Sequence, residues 1–141
     1  MYKHLLLATD LSDENRDTLK KARKMADLYG AKLSIMHAVE PIVNYGYVGL
    51  SDIEEQMVEE AKQSLKKIGE ELNVTPDDQW IAVGSAKAEI VAIANEIGAD
   101  LIIIGSHSEH SFTDLLGSTT NCVLHHAHCD VITVRHWKKD A

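Results

Sequence analysis

A chain of 141 residues, 45% hydrophobic and 26% charged, has the size and composition of one globular domain with room for a proper core. Its formal charge of -8 argues against nucleic acid or an anionic membrane as the main partner, and the short basic tail Arg135-His136-Trp137-Lys138-Lys139 is a weak counterweight. The longest apolar runs, such as Leu101 to Ile104, fall far short of a membrane span. The segment Met1 to Leu7 lacks the length and cleavage site of a signal peptide, and Cys122 and Cys129 are too few for a disulfide framework. A cytoplasmic location is expected. With no repeat or linker in view, one domain is expected over residues 1–141.

His4 to Thr9 reads as a buried strand. Ser12 is placed to cap a helix whose apolar positions Leu19, Ala22, Met25, Ala26 and Tyr29 recur at helical spacing, and Gly30 can end it in the left-handed conformation. Lys32 to Val39 is a second strand. Pro41 to Leu50 follows as a loop whose Tyr45 and Tyr47 suit either a lid or a packed surface segment. Ser51-x-x-Glu54 has the form of a capping box, opening a helix with Met57, Ala61, Leu65, Ile68 and Leu72 on one face. Gln79 to Val83 is a third strand, and a helix near Ala86 to Ile97, closed by Gly98, leads to the strand Leu101 to Ile104. A last helix is expected from about Ser118 to His126, and a final strand from Asp130 to Arg135.

Strand and helix alternate throughout, which implies a parallel sheet covered on both faces by right-handed crossovers. The uninterrupted apolar strands agree, because a strand buried on both faces has no polar side. In such a sheet a ligand binds at the carboxyl ends of the strands, where strand order reverses. Asp10, Val39 and Gly105 stand at those ends.

The richest stretch is Ala99-Asp100-Leu101-Ile102-Ile103-Ile104-Gly105-Ser106-His107-Ser108, followed by Leu115-Leu116-Gly117-Ser118-Thr119-Thr120-Asn121. A β-branched run stops at glycine, and a second Gly-Ser-Thr turn opens a helix. Backbone N–H groups and hydroxyls gathered at a helix N-terminus hold anionic phosphate groups.

These landmarks resemble the universal stress protein family in its small single-domain form. The residues that carry the likeness begin with Lys3 to Ser12, Leu33 to Pro41 and Gly84. They continue with Ala99 to His107, Gly117-Ser118-Thr119 and Cys129 to Arg135, in the family's order and over nearly the whole chain. The resemblance implies a five-stranded, doubly wound, Rossmann-like α/β fold of the adenine nucleotide alpha-hydrolase-like type. It also implies a homodimer formed through the last strand, Val131, Ile132, Thr133 and Val134. The family has two branches, one binding ATP through Gly-x-x-Gly followed after about nine residues by Gly-Ser or Gly-Thr, the other lacking the motif and not binding.

Carried over by position, Gly105 is the first motif glycine and Gly117-Ser118 the last pair. Asp10 would face the adenine or ribose, Ala38 would offer backbone to the base, and Thr119 and Thr120 would add donors near the phosphates, with Ala8, Thr9, His107 and Ser108 completing the nucleotide-binding set. The chain departs from the motif at Ser108, which stands where the second glycine belongs, and eight residues separate it from Gly117. A serine there adds a Cβ where the backbone approaches phosphate, but also a hydroxyl that can donate to it.

The implied function is a regulatory stress-response protein that binds ATP, alone or with Mg2+, and also an unidentified protein partner. The alternatives are a nucleotide-free dimeric interaction module of the same fold and, third, a slow ATPase. No Gly-x-x-x-x-Gly-Lys-Ser/Thr motif or carboxylate–lysine–metal set is visible, so no catalytic residue is assigned. Cys122, His125, His126, His128 and Cys129 cluster in sequence but straddle a helix end and a strand start, so their side chains should diverge and no metal site is expected. His107 and His110 read either as anion contacts or as solvated loop residues.

Overall fold

Leu5-Leu6-Leu7 and Leu101-Ile102-Ile103 are fully buried, and the strands they form lie side by side at the centre of a five-stranded sheet. The computed structural model describes residues 1–12, 16–41, 50–105 and 117–135. Its elements are β1 (His4–Ala8), α1 (Arg16–Tyr29), β2 (Lys32–Val39), α2 (Leu50–Leu72), β3 (Gln79–Val83), α3 (Ala86–Ile97), β4 (Leu101–Gly105), α4 (Ser118–His126) and β5 (Asp130–Val134), with a 3-10 turn at Pro76–Asp78. The strand order is β3-β2-β1-β4-β5, with every pairing parallel. The chain winds outward from β1 to β3, then returns to the other side of β1 for β4 and β5. Strand order therefore reverses between β1 and β4, which opens a crevice at their carboxyl ends.

The alternation of side chains along each strand sorts the core into two layers. Leu5, Leu7, Leu33, Ile35, Leu101 and Ile103 pack with α1 and α2 through Leu19, Ala22, Leu65 and Leu72. Leu6, Met36, Ile102 and Ile104 pack with α3 and α4 through Ile90, Ile93 and Val123. A strand contributing to both layers must be apolar without a break, and burial of each such side chain is worth about 1.5–3 kcal/mol. The five-stranded, doubly wound parallel sheet expected from the sequence is the one observed.

Helix ends follow the glycines. Gly30 (φ 63°) and Gly98 (φ 72°) both adopt the left-handed conformation. At Gly98 the Ala99 N–H reaches back to the Ala94 carbonyl at 2.9 Å, which closes the last turn of α3. Asn73 (φ 55°) plays the same part for α2, where Val74 N–H donates to the Gly69 carbonyl at 2.8 Å. The amino end of α2 differs from the expectation. The helix already includes Leu50, so Ser51 lies inside its first turn and the Ser51–Glu54 pair does not mark its N-cap. Smaller differences are that β1 stops at Ala8, β4 extends to Gly105 and β5 stops at Val134.

At the sheet's amino end, Asp100 joins the two central strands. Its carboxylate accepts from Lys3 N–H (2.8 Å) and His4 N–H (3.0 Å), and its own N–H donates to the His4 carbonyl at 2.9 Å. Partial burial would raise the carboxyl pKa, but the N–H groups of Lys3, His4 and Asp100 itself outweigh it and hold the pKa below the ordinary carboxylate value. Among the described residues no helix is long and apolar enough to cross a membrane.

Candidate functional site

The carboxyl ends of β1, β2 and β4 and the first turns of α3 and α4 enclose one cleft of about 320 Å³, at the small end of the usual ~300–1,000 Å³ for ligand pockets. Ala8, Thr9 and Asp10 come from β1 and the residues after it, Met36, His37 and Ala38 from β2, and Ile104 and Gly105 from β4. α3 adds Ala86 and Ile90; Gly117, Ser118, Thr119 and Thr120 begin α4.

The cleft thus brings together Ala8, Thr9, Asp10, Ala38, Gly105, Gly117, Ser118, Thr119 and Thr120 from the sequence reading. His107 and Ser108 lie outside the described residues, as do His110, Tyr45 and Tyr47. Val39 instead borders a separate groove beneath α2, with Leu11, Met57 and Glu60. Sequence reasoning missed Met36, His37, Ala86, Ile90 and Ile104. Met36, Ile90 and Ile104 are nearly fully buried, so their apolar pattern is that of core. The only available signal was their position at strand ends and at a helix start.

The register of β2 explains how Ala38 reaches the cleft. Thr9 N–H donates to the Met36 carbonyl at 3.0 Å, whereas Gly84 N–H donates to the Val39 carbonyl at 2.9 Å. Even-numbered residues of β2 therefore turn their backbone groups towards β1, and odd-numbered ones towards β3. The paired register of β1 and β2 ends at Ala8 and Met36, so the next inward-facing backbone, that of Ala38, looks past the end of β1 into the crevice.

Two helix N-termini border the cleft, and they are not equivalent. The Ala86 N–H of α3 donates to Oε1 of Glu40 at 3.4 Å, and Glu89 lies in the first turn of that helix. Carboxylates already complement its positive end. α4 starts after Gly117 with no side-chain cap and no acidic residue in its first turn. Its first helical bond runs from Asn121 N–H to the Gly117 carbonyl (3.0 Å), so the N–H groups of Ser118, Thr119 and Thr120 have no partner within the helix. Thr120 Oγ1 donates to the Gly105 carbonyl at 3.1 Å and locks this helix end against the end of β4. Of the two helix ends, that of α4 has the unpaired N–H groups and lacks the carboxylates, which is the arrangement that favours an anion. Met36, Ala86 and Ile90 add an apolar surface to the cleft, which suits a flat ring.

The residues after β1 form a tight turn. Leu11 N–H donates to Thr9 Oγ1 (3.0 Å), and Ser12 donates both its N–H (2.9 Å) and its hydroxyl (2.7 Å) to Oδ1 of Asp10. Ser12, expected to cap α1, thus engages the Asp10 carboxylate; residues 13–15, between it and α1, lie outside the described set. Among the described residues no group of three or more His, Cys, Asp or Glu side chains could hold a metal ion. Cys129, half-buried beside Asp130, has its thiol pKa pushed up, first by burial and then by the Asp130 and Asp100 charges.

A doubly wound parallel sheet, with an uncapped helix end and an apolar slot at its switch point, defines a Rossmann-like α/β domain. Residues 1–135 match the universal stress protein family, and the chain belongs to that family. It is 42% identical over 139 residues to universal stress protein A homolog 2 of Coxiella burnetii, covering 95% of each chain. It is also 31% identical over 144 residues to homolog 1 of the same organism, covering 99% of each. Among solved structures it superposes on the universal stress protein UspA from Lactobacillus plantarum with a TM-score of 0.81 and 25% identity, over 95% of this chain and 98% of that one. A universal stress protein solved in complex with cAMP aligns with a TM-score of 0.61 and 26% identity, over 96% of this chain and 98% of the other.

Proposed function

We propose that this protein binds an adenine nucleotide, with ATP as the leading candidate, and acts as a homodimeric regulatory protein rather than as a catalyst. The observation that carries the reading is the division of the cleft into an apolar wall at Met36, Ala86 and Ile90 and an uncapped α4 N-terminus at Gly117–Thr120. The base lies against the apolar wall, where the Ala38 backbone can read its edge. Asp10 is placed for ribose hydroxyls, and the phosphates lie at the first turn of α4, where its dipole and three N–H groups favour negative charge. The likeness to the protein solved with cAMP supports an adenylate as the ligand class.

Gly117 supplies the most selective test. A Cβ built there meets no atom of the described residues within 4 Å, and its φ of -58° suits any residue. A side chain added there is compatible with the described backbone and stands in the lining of the cleft. Gly117→Val should weaken ATP binding at least tenfold, about 1.4 kcal/mol or more, without lowering the thermal midpoint. Asp10→Ala should weaken it by a similar factor. Calorimetric titration of ATP with magnesium checks both, and unchanged affinity in both variants would remove the site assignment.

The nucleotide-free reading rests on Ser108 in place of the motif glycine. In that reading the same dimer serves only to bind a protein partner, and the titration of the wild-type chain separates the two.

A further inference from the structure

The turn that carries Asp10 adopts a backbone its residues do not favour. Leu11 sits at φ 66°, in the left-handed region where an L side chain is strained. Within the turn, Thr9 Oγ1 and the Asp10 carboxylate accept the N–H groups of Leu11 and Ser12. Leu11 also packs against the core layer beneath α1 and α2. These contacts shape the turn, and one ladder bond, from Thr9 N–H to the Met36 carbonyl at 3.0 Å, holds its first residue to the neighbouring strand.

A second tie, at the carbonyl of the same residue, comes from a side chain of β2. The Thr9 carbonyl, which the next rung of the ladder would give to the Ala38 N–H, accepts a hydrogen bond from ring Nδ1 of His37 at 2.8 Å. A carbonyl only accepts, so Nδ1 carries the hydrogen in the neutral ring as in the charged one. Leu33 and Ile35, the alternate residues before His37, face α1 and α2. The ring therefore approaches Thr9 from that side of the sheet, where the groove beneath α2 is lined by Leu11, His37, Met57 and Glu60. His37 thus borders both this groove and the cleft.

We propose that His37 is a positioning residue of the cleft: its Nδ1–H occupies the Thr9 carbonyl, which fixes the strained Thr9–Ser12 turn presenting Asp10 and leaves the Ala38 amide for the ligand. The inference rests on the nucleotide reading above for its binding consequence, but the geometry of the turn can be tested without any nucleotide.

Asparagine can place an amide nitrogen where Nδ1 of histidine lies, whereas glutamine places its nitrogen nearer Nε2. The test compares His37→Asn, His37→Gln and His37→Ala in two measurements: titration with ATP and magnesium, and hydrogen exchange of the Leu11 and Ser12 amides in the ligand-free protein. His37→Ala and His37→Gln should weaken ATP binding about tenfold, the order expected for losing one such bond, and should speed exchange at both amides. His37→Asn should restore both. Equal behaviour of the Asn and Gln variants, or wild-type exchange in the Ala variant, overturns the proposal; if the Ala variant does not fold, the Asn–Gln pair decides. A wild-type chain that ignores millimolar ATP removes the nucleotide reading alone. The exchange pattern then still decides whether His37 holds the turn.

Discussion

His4 lies at the start of β1, far along the strand from the cleft, with Nε2 2.7 Å from Oγ of Ser34. Ser34 is almost wholly buried. Burial and then the charge of Lys32 lower the His4 pKa from its ordinary value of 6.5, against weaker opposing effects of the Ile97 backbone, Asp78 and Asp100. The unfolded chain therefore binds more protons here than the folded one once the pH drops below about 6.5. Stability contributed by neutral His4 is present above that value and is lost as the pH falls towards the lowered folded-state pKa. The expected slope does not exceed about 1.4 kcal/mol per pH unit. Urea unfolding between neutral and mildly acidic pH should show this loss in the wild type and a flatter profile in His4→Gln. Equal slopes would mean that other groups govern the acid limb.

At the same scale, the polar half of the cleft was legible and the apolar half was not. Asp10, Gly105 and Gly117–Thr120 stand out because a polar turn or a Gly-Ser-Thr run interrupts buried structure. Met36 and Ile104 also lie in buried strands, β2 and β4, but a base slot and a core ask for the same side chains. His37 was invisible for another reason: its role depends on which face of β2 it occupies and on where β1 leaves the ladder, and both depend on register.

At the scale of elements, strand boundaries were readable to within a residue because Leu5–Leu7 and Leu101–Ile103 must be apolar on both faces. The start of α2 was not, since Ser51-x-x-Glu54 matches a capping pattern inside a helix that includes Leu50. The other end of α2 holds a constraint that helix propensity alone would misjudge. Gly69 lies in the last turns, and a Cβ there would collide with the Gln79 side chain and come within 2.9 Å of the Val74 carbonyl. Gln79 Nε2 itself donates to that carbonyl at 3.0 Å. In an exposed helix, Gly→Ala gains about 1 kcal/mol, but overpacking typically costs ~1–3 kcal/mol. Gly69→Ala should therefore destabilise the fold by about 1 kcal/mol, measured from the urea midpoint. A stabilised variant would show that the α2–β3 junction yields without cost.

At the scale of the whole molecule, the sheet has two edges, β3 and β5. Along β5, Val131, Ile132 and Thr133 remain partly exposed while Val134 is buried. An apolar edge strand left open is a template for pairing, and a second copy of the chain closes it symmetrically. If the proposed dimer forms through this edge, Thr133→Lys places like charges at the contact and should yield a folded monomer by sedimentation. A wild-type chain that sediments as a monomer at micromolar concentration would contradict the dimer. The fold itself followed from alternation of strands and helices; the assembly did not, because a single chain's pattern marks an edge without naming what covers it.

The central claim is that the switch-point cleft holds an adenine nucleotide. Its most direct test is to denature freshly purified protein, identify any nucleotide released, and titrate the emptied chain with ATP and magnesium. The account predicts released adenylate or saturable micromolar binding, weakened in Gly117→Val. Protein that carries no nucleotide and ignores millimolar ATP would contradict it.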